Sequence, residues 1–126
     1  MSRVRQLVDA DYRYHEELTW YPGAIVDVED ADFGFGPTVV FVIELDDDGV
    51  DDDGNPRQVR AMASDKLTPN AKLTRWVKGI FGPEMLETGT VDLDLAVGER
   101  VQVMFEYGEN NNGDPNEKIT QIKAAK

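Results

Sequence analysis

The sequence contains no cysteine and only one histidine in 126 residues. The absence of cysteine excludes disulfide bonds, thiolate metal sites and thiol chemistry. The one histidine, His15, lies near the N-terminus and away from the predicted strands, so we expect neither a nucleophile–histidine pair nor a histidine-based metal site. Gly34 and Gly36 precede a predicted strand and not a helix, which argues against a phosphate-binding glycine loop. We therefore expect no enzymatic activity and no cofactor.

Long apolar segments are also absent. No run approaches the roughly 20 apolar residues of a membrane span, and the first residues lack the apolar centre of a signal peptide. The length fits one domain with a proper hydrophobic core. We expect a protein that has no membrane contact and is located in the cytoplasm.

Basic residues are scarce: 13 lysines and arginines stand against 25 aspartates and glutamates, and the formal net charge is -12. This balance opposes nucleic-acid binding, because phosphate contacts require lysine and arginine. The charges are, however, segregated along the chain. Residues 57–78 hold six basic residues and one acid, so a local basic surface is compatible with an acidic protein. Residues 44–54 hold seven carboxylates: Glu44, Asp46, Asp47, Asp48, Asp51, Asp52 and Asp53.

This acidic segment has two interpretations. Its carboxylates Glu44, Asp46 and Asp48, followed by Gly49, have the offsets of the start of a calcium-binding loop, but Asn55 stands where such a loop has its bidentate glutamate. No helices are predicted on either side. The favoured interpretation is a solvated loop that keeps the protein soluble, and a calcium-dependent module is the alternative.

One helix is predicted, within residues 64–83. Thr68 and Pro69 form a start signal, since a hydroxyl can cap free amides and proline suits the first turn. Gly82 followed by Pro83 indicates the end. Apolar residues recur at helical spacing on one face, and three cations fall on the other. The apolar residues are Leu73, Trp76, Val77 and Ile80, and the cations are Lys72, Arg75 and Lys78.

The remaining pattern predicts strands. Alternating or β-branched segments at 19–30, 38–45 and 57–64 precede the helix, and those at 100–107 and 118–123 follow it. Val91, Leu93 and Leu95 form a further alternating set. Short turns and one-sided strands indicate antiparallel pairing. We expect a mainly β fold, a five-to-six-stranded antiparallel OB-like barrel with one helix between strands 3 and 4. A two-sheet sandwich with an accessory helix is the alternative. Residues 1–18 are expected to form an N-terminal arm, and 19–126 the OB-fold domain.

Aromatic residues outside the core segments suggest a ligand. Proteins that bind single strands combine a basic groove with aromatic stacking platforms, worth about 1–3 kcal/mol per base. The stacking candidates are Trp20, Tyr21, Phe33 and Phe35, for which local packing is the alternative. The candidates for phosphate contacts are Arg57, Arg60 and Lys66. Phe41, Trp76, Phe81 and Phe105 are expected in the core. The helix cations Lys72, Arg75 and Lys78 are interpreted as a solvated face, because the helix of an OB barrel usually lies away from the ligand.

Several segments carry a resemblance to a known family. They are YPGAIVDVED, TVVFVIELDD, ASDKLTPNAKLTRWVKGIFG, LAVGERVQVMFEY and NEKITQI, and together they span roughly residues 20–123. Their order resembles that of small OB-fold, single-stranded-DNA-binding-like proteins encoded by phages and mobile elements. The resemblance implies non-catalytic binding of single-stranded DNA in replication or recombination, possible contact with a replication or recombination protein, and, for a phage protein, action in the host cytoplasm.

A second hypothesis comes from a different class. An acidic OB module could bind a protein, acting as an accessory or inhibitor that docks on a basic, DNA-handling partner. The acidity favours this hypothesis, whereas the aromatic turn and the basic third strand favour single-stranded DNA.

Overall fold

The computed structural model describes residues 12–34, 36–50, 52–87, 89–110 and 112–125. The expected arm at residues 1–11 and the stacking candidate Phe35 therefore lie outside the described residues. The described chain forms five strands and one α-helix, with the helix between strands 3 and 4 as predicted. In order, these are β1 (Trp20–Asp32), β2 (Pro37–Leu45), β3 (Gln58–Ser64), α1 (Lys72–Phe81), β4 (Arg100–Glu109) and β5 (Pro115–Ala124).

The strands make one antiparallel sheet in the order β3-β2-β1-β4-β5. The mainly β, antiparallel prediction is thus confirmed. Edge strands β3 and β5 approach each other, and α1 packs against both of them. No hydrogen-bonded ladder joins β3 to β5 among the described residues, so this sheet is curled but not closed into a barrel.

Strand β2 is buried on both faces, as its continuous apolar run predicts. Phe41 and Ile43 have no exposed surface and point into the core that the sheet forms with α1. Val42 lies on the opposite face yet is only 3% exposed. An ion pair between Arg60 on β3 and Glu29 on β1, 3.7 Å between Nε and Oε1, spans β2 on that outer face. The stems of these two side chains cover the valines beneath.

The helix has the predicted apolar stripe but begins later than the sequence suggests. Its first residue is Lys72 and its N-cap is Ala71, which offers no side-chain cap. The Thr68 carbonyl instead accepts hydrogen bonds from the Ala71 amide at 3.0 Å and the Thr74 hydroxyl at 2.7 Å. These bonds close a separate turn before the helix, so the predicted cap at Thr68 is wrong. The helix ends as predicted, with Gly82 at a φ of +88°.

Helix α1 approaches β5 closely at Gly79. A Cβ atom built on Gly79 would lie 2.1 Å from the Ile122 carbonyl oxygen, which is shorter than any van der Waals contact. Glycine weakens a helix by about 1 kcal/mol relative to alanine. Glycine at this position therefore lowers the helix propensity but allows the helix to pack closely against the sheet edge.

Residues 91–96 do not form the strand that their alternation suggests. The Asp92 side chain accepts a hydrogen bond from the Asp94 amide, 3.1 Å, and starts a 3₁₀ turn at Leu93–Ala96. Such a local side-chain bond competes with strand pairing. Leu93 packs against the core whereas Leu95 is 56% exposed, so the two do not share a buried face. A second 3₁₀ turn, Pro83–Leu86, follows the helix directly.

Candidate nucleic-acid interface

An apolar groove lies where the turn after β1 meets the end of β3. Its volume is about 670 Å³, and its wall carries two large, exposed apolar side chains, Phe33 and Met62. Phe33 is 56% exposed and Met62 is 46% exposed. We call this cavity the Phe33 groove. Its wall residues are Phe33, Thr38, Met62, Ala63, Ser64, Lys66, Ala71 and Lys72.

The turn that presents Phe33 is held by local hydrogen bonds. The Asp32 carboxylate accepts from the Gly34 amide at 2.8 Å, and the Thr38 hydroxyl donates to the Gly36 carbonyl at 3.2 Å. Both glycines have positive φ angles, +94° and +101°, which side chains rarely adopt. The turn thus keeps Phe33 out of the core, and packing does not account for its position.

Two lysines lie on the wall of the Phe33 groove. Lys66 follows β3, and its amide donates to the Ser64 carbonyl at 2.8 Å. Lys72 is the first residue of α1. Neither lysine has a salt-bridge partner within the described ranges. An aromatic ring beside cations that lack carboxylate partners is the combination that single-strand binding requires.

The exposed face of β3 extends this surface. Alternation places Gln58, Arg60, Met62 and Ser64 on one side of the strand, pointing away from the core. Arg60 therefore lies on the same row as Met62, although it is partly neutralised by Glu29. The structure thus brings three predicted site residues, Phe33, Arg60 and Lys66, to one edge of the sheet.

The other predicted cation, Arg57, has a structural role. Its amide donates to the Gly49 carbonyl at 3.1 Å and its Nε to the Val50 carbonyl at 3.0 Å, which closes the acidic loop between β2 and β3. It lines a larger cavity of about 1070 Å³ together with Arg60. Four carboxylates share that cavity with the two arginines: Glu44, Asp47, Asp48 and Glu117. That balance makes it a poor site for phosphate.

Trp20 and Tyr21 lie at the opposite end of β1 from Phe33. The Lys123 ammonium sits over the Trp20 ring, 4.1 Å from its centre. The Tyr21 ring packs edge-on against Phe105, and its hydroxyl accepts a hydrogen bond from the Glu16 amide at 2.7 Å. Both aromatics therefore have intramolecular partners, and the structure does not bring them together with Phe33.

The surroundings of His15 were not predicted from the sequence. Its Nδ1 lies 2.6 Å from Glu117 Oε1, and its Nε2 lies 2.9 Å from both oxygens of Asp48. Its ring stacks on Phe105 with the centres 4.2 Å apart. We call this arrangement the His15 clamp. Both ring nitrogens therefore lie within hydrogen-bond distance of a carboxylate.

The clamp fastens the described part of the arm to the sheet. The Tyr12 amide donates to the Pro115 carbonyl and the Leu18 amide to the Phe105 carbonyl, both at 3.0 Å. The Tyr107 hydroxyl donates to the His15 carbonyl at 2.5 Å. Residues 12–18 thus lie along β4 and β5. No local sequence signal indicates this, because the partners are 33 to 102 residues away in the chain.

The described part of the acidic loop shows no calcium geometry. Asp46 binds both terminal nitrogens of Arg100, and Asp48 belongs to the His15 clamp, so two of the three suggested ligands contact other side chains. The bond with Arg100 lowers the pKa of Asp46. Within the described ranges, no group of three or more aspartate, glutamate or histidine side chains is arranged to hold a metal ion.

The described part of the chain contains no helix long and apolar enough to cross a membrane. Comparison with known proteins adds no further identification. No protein-family model matches this sequence, and no curated protein is significantly similar to it.

Proposed function

We propose that this protein is a non-catalytic module that binds single-stranded DNA, in replication or recombination, through the Phe33 groove. The observation that carries this proposal is the exposed Phe33 ring in one groove with Lys66 and Lys72, two cations without a carboxylate partner in the described part of the chain. Bases would stack on Phe33 and pack against Met62. The lysines would hold the sugar-phosphate backbone.

The architecture supports this assignment. We propose that the curled sheet is an OB-like, partly open barrel, since OB folds have five strands and bind oligonucleotides on strands 2 and 3 and on the loop between strands 1 and 2. Phe33 lies in that loop, and Met62 and Arg60 lie on β3. The resemblance to single-stranded-DNA-binding-like proteins of phages and mobile elements agrees with this placement.

The overall acidity does not prevent such binding. At physiological ionic strength, exposed charges more than about 8 Å apart are largely screened. The carboxylates of the acidic loop lie at the Arg57 end of β3, whereas the Phe33 groove lies at the Ser64 end. Two other carboxylates, Asp32 and Asp65, adjoin groove residues in the chain. A bound phosphate would be held by the adjacent lysines against the charge of these two groups.

The test is fluorescence anisotropy of a labelled oligo-dT, first at low salt and then through a salt titration. We expect binding that weakens linearly with the logarithm of the salt concentration. Phe33→Ala should weaken it by about 5- to 100-fold, since one stacked base is worth about 1–3 kcal/mol. A duplex of matching sequence should bind poorly.

Leu95→Ala is the matched control, because Leu95 is exposed to the same fraction, 56%, but lies on the 3₁₀ turn before β4. It should leave the affinity unchanged. Absence of binding at low salt, or equal losses for the two variants, would contradict the proposal.

A second candidate function is docking on a basic, DNA-handling protein. It is favoured by the exposed carboxylates along β1, Asp27, Glu29, Asp30 and Asp32, which continue the acidic character of the loop. Asp47→Asn with Asp52→Asn removes two exposed loop charges and keeps Asp46 and Asp48 in their ion pairs. Calorimetry against a synthetic basic peptide should show weaker binding if this function is correct. Under the first proposal, the same variant binds oligo-dT slightly more tightly.

A further inference from the structure

A second pocket, of about 480 Å³, lies between α1 and β5. Lys72 and Arg75 enter it from the helix and Lys118 from the strand, and we call these three residues the cation cluster. Glu106 is the one carboxylate on the wall. The balance of charge in this pocket is therefore positive, on a chain whose formal net charge is -12.

The cation cluster is only partly neutralised. None of its three members forms a salt bridge within the described ranges, although Glu106 lies opposite Lys118 in the ladder between β4 and β5. Burial, and then the neighbouring charges of Lys118 and Arg75, lower the pKa of Lys72. Like charges held close together oppose folding unless an opposite charge joins them. A chain with so many carboxylates has placed only Glu106 here, which points to an anionic ligand from outside.

The walls of this pocket are fixed in place. The Trp76 indole N–H donates to the Thr120 carbonyl at 3.1 Å, and the buried Trp76 ring meets Phe41 edge-on at 6.0 Å. The Lys72 ammonium rests over that ring, 5.0 Å from its centre. Arg75 donates to the Asn70 carbonyl at 3.0 Å. Lys72 and Arg75 are thus held by rigid neighbours before any ligand arrives, which reduces the entropy lost on binding.

The wall of this pocket also contains a hydroxyl group without a hydrogen-bond partner. Thr120 lines the pocket, and its hydroxyl oxygen is buried without a hydrogen-bond partner in the described structure. A buried hydroxyl that makes no hydrogen bond is unfavourable unless another molecule supplies the partner. Phosphate oxygens are suitable acceptors for a hydroxyl and for the three cations.

The pocket and the Phe33 groove adjoin at Lys72, which lies on the wall of both. We propose that the cation cluster is a phosphate subsite for the backbone of the same single strand whose bases stack on Phe33. This inference rests on the proposed function and extends it around the N-terminal half of α1. It also reverses the sequence-based interpretation of Lys72 and Arg75 as a solvated face.

The test compares short and long oligo-dT. One OB fold binds about 4–16 nucleotides, so the two oligonucleotides have about 4 and about 16 nucleotides. The short one should fill only the Phe33 groove, whereas the long one should also reach the cation cluster. The variant Arg75→Gln with Lys118→Gln removes two exposed cations. For the long oligonucleotide, each lost contact reduces the salt slope by about 0.7. Two contacts correspond to an affinity loss of about 10- to 30-fold near 0.1 M salt. The short oligonucleotide should be unaffected.

Lys78→Gln is the matched control, since Lys78 lies on the same helix but lines other cavities. Lys78→Gln should change the affinity and the salt slope less than the double variant does. Phe33→Ala should weaken both oligonucleotides. A thermal melt confirms that each variant folds.

Three outcomes overturn the inference. An unchanged slope and affinity for the double variant overturn it and leave the Phe33 groove as the binding site. Equal losses for both lengths overturn it as well, because they show a general charge effect and not a separate subsite. If the wild-type protein binds neither oligonucleotide, the inference and the proposed function both fail.

Discussion

The two ends of β3 differ in how their charges are used. At the Arg57 end, several charged side chains have partners: His15 with Asp48 and Glu117, and Asp46 with Arg100. At the Ser64 end, Lys66 and Lys72 share a groove with an exposed aromatic ring and have no salt-bridge partner among the described residues. Satisfied charges organise the chain, whereas charges without a partner are available to a ligand. The comparison teaches that the partners of a cation, more than its position in the sequence, indicate its role.

The largest expected effect on stability comes from a substitution of His15, at the Arg57 end of β3. His15→Ala removes a hydrogen-bond partner from the carboxylates of Asp48 and Glu117, both mostly buried. It also removes the ring stacked on Phe105. We expect the free energy of unfolding to fall by about 3 kcal/mol, because each buried group that loses its partner costs about 1–3 kcal/mol.

Urea denaturation measures this loss. Phe33→Ala, at the other end, should change stability by less than about 0.5 kcal/mol, as exposed substitutions usually do. Similar losses for the two variants would erase the proposed distinction between the ends.

A substitution in the helix tests the packing of α1 against β5. Gly79→Ala places a methyl group against the Ile122 carbonyl and pushes α1 away from β5. Overpacking costs about 1–3 kcal/mol, and the gain in helix propensity, about 1 kcal/mol, offsets only part of it. We expect a net loss of about 1–2 kcal/mol in denaturation, together with weaker oligo-dT binding.

The matched control is Gly98→Ala. Its Cβ would meet no atom within 4 Å, although its φ of +92° adds backbone strain. A destabilised variant that still binds oligo-dT normally would be expected for Gly98→Ala. The same result for Gly79→Ala would argue against α1 as part of the binding surface.

The smallest expected effect concerns how the ion pair between Asp46 and Arg100 changes the stability of the protein at low pH. Arg100 holds the pKa of Asp46 below its ordinary value of 3.8. The stability from this pair is therefore complete above pH 3.8 and is lost as the pH falls through the lowered value in the folded protein. In Arg100→Gln, the free energy of unfolding should fall less as the pH is lowered through that range. Denaturation between pH 7 and pH 2.5 measures this. A steeper loss in the variant would contradict this sign. Because both groups are well exposed, we expect a small difference.

The elements of the fold could largely be predicted from local patterns. Period-two alternation located β1, β3, β4 and β5, the β-branched run located β2, and the apolar stripe with Gly82 located the body and the end of α1. Two details failed at helix and turn starts. Thr68 and Asp92 each use their oxygen atoms in ways that composition does not reveal, one through its carbonyl and the other through its carboxylate.

The candidate site was predicted only in part. The turn glycines identified Phe33, and the charge of the segment identified Lys66 and Arg60. Met62 was missed, although the alternation of β3 places it on the exposed row beside Arg60. Trp20 and Tyr21 were grouped with Phe33 because they share its residue type, but 11 residues of β1 or more separate them from the groove.

The sequence by itself determined the secondary structure, the antiparallel character and the aromatic turn, because these follow from residue spacing and glycine conformation. Only the tertiary structure decided which charges have partners. His15 and Glu117 meet across 102 residues, and Lys72 and Arg75 meet Lys118 only where α1 packs on β5. Such encounters depend on how the elements pack together, and neither local propensity nor net charge specifies that packing.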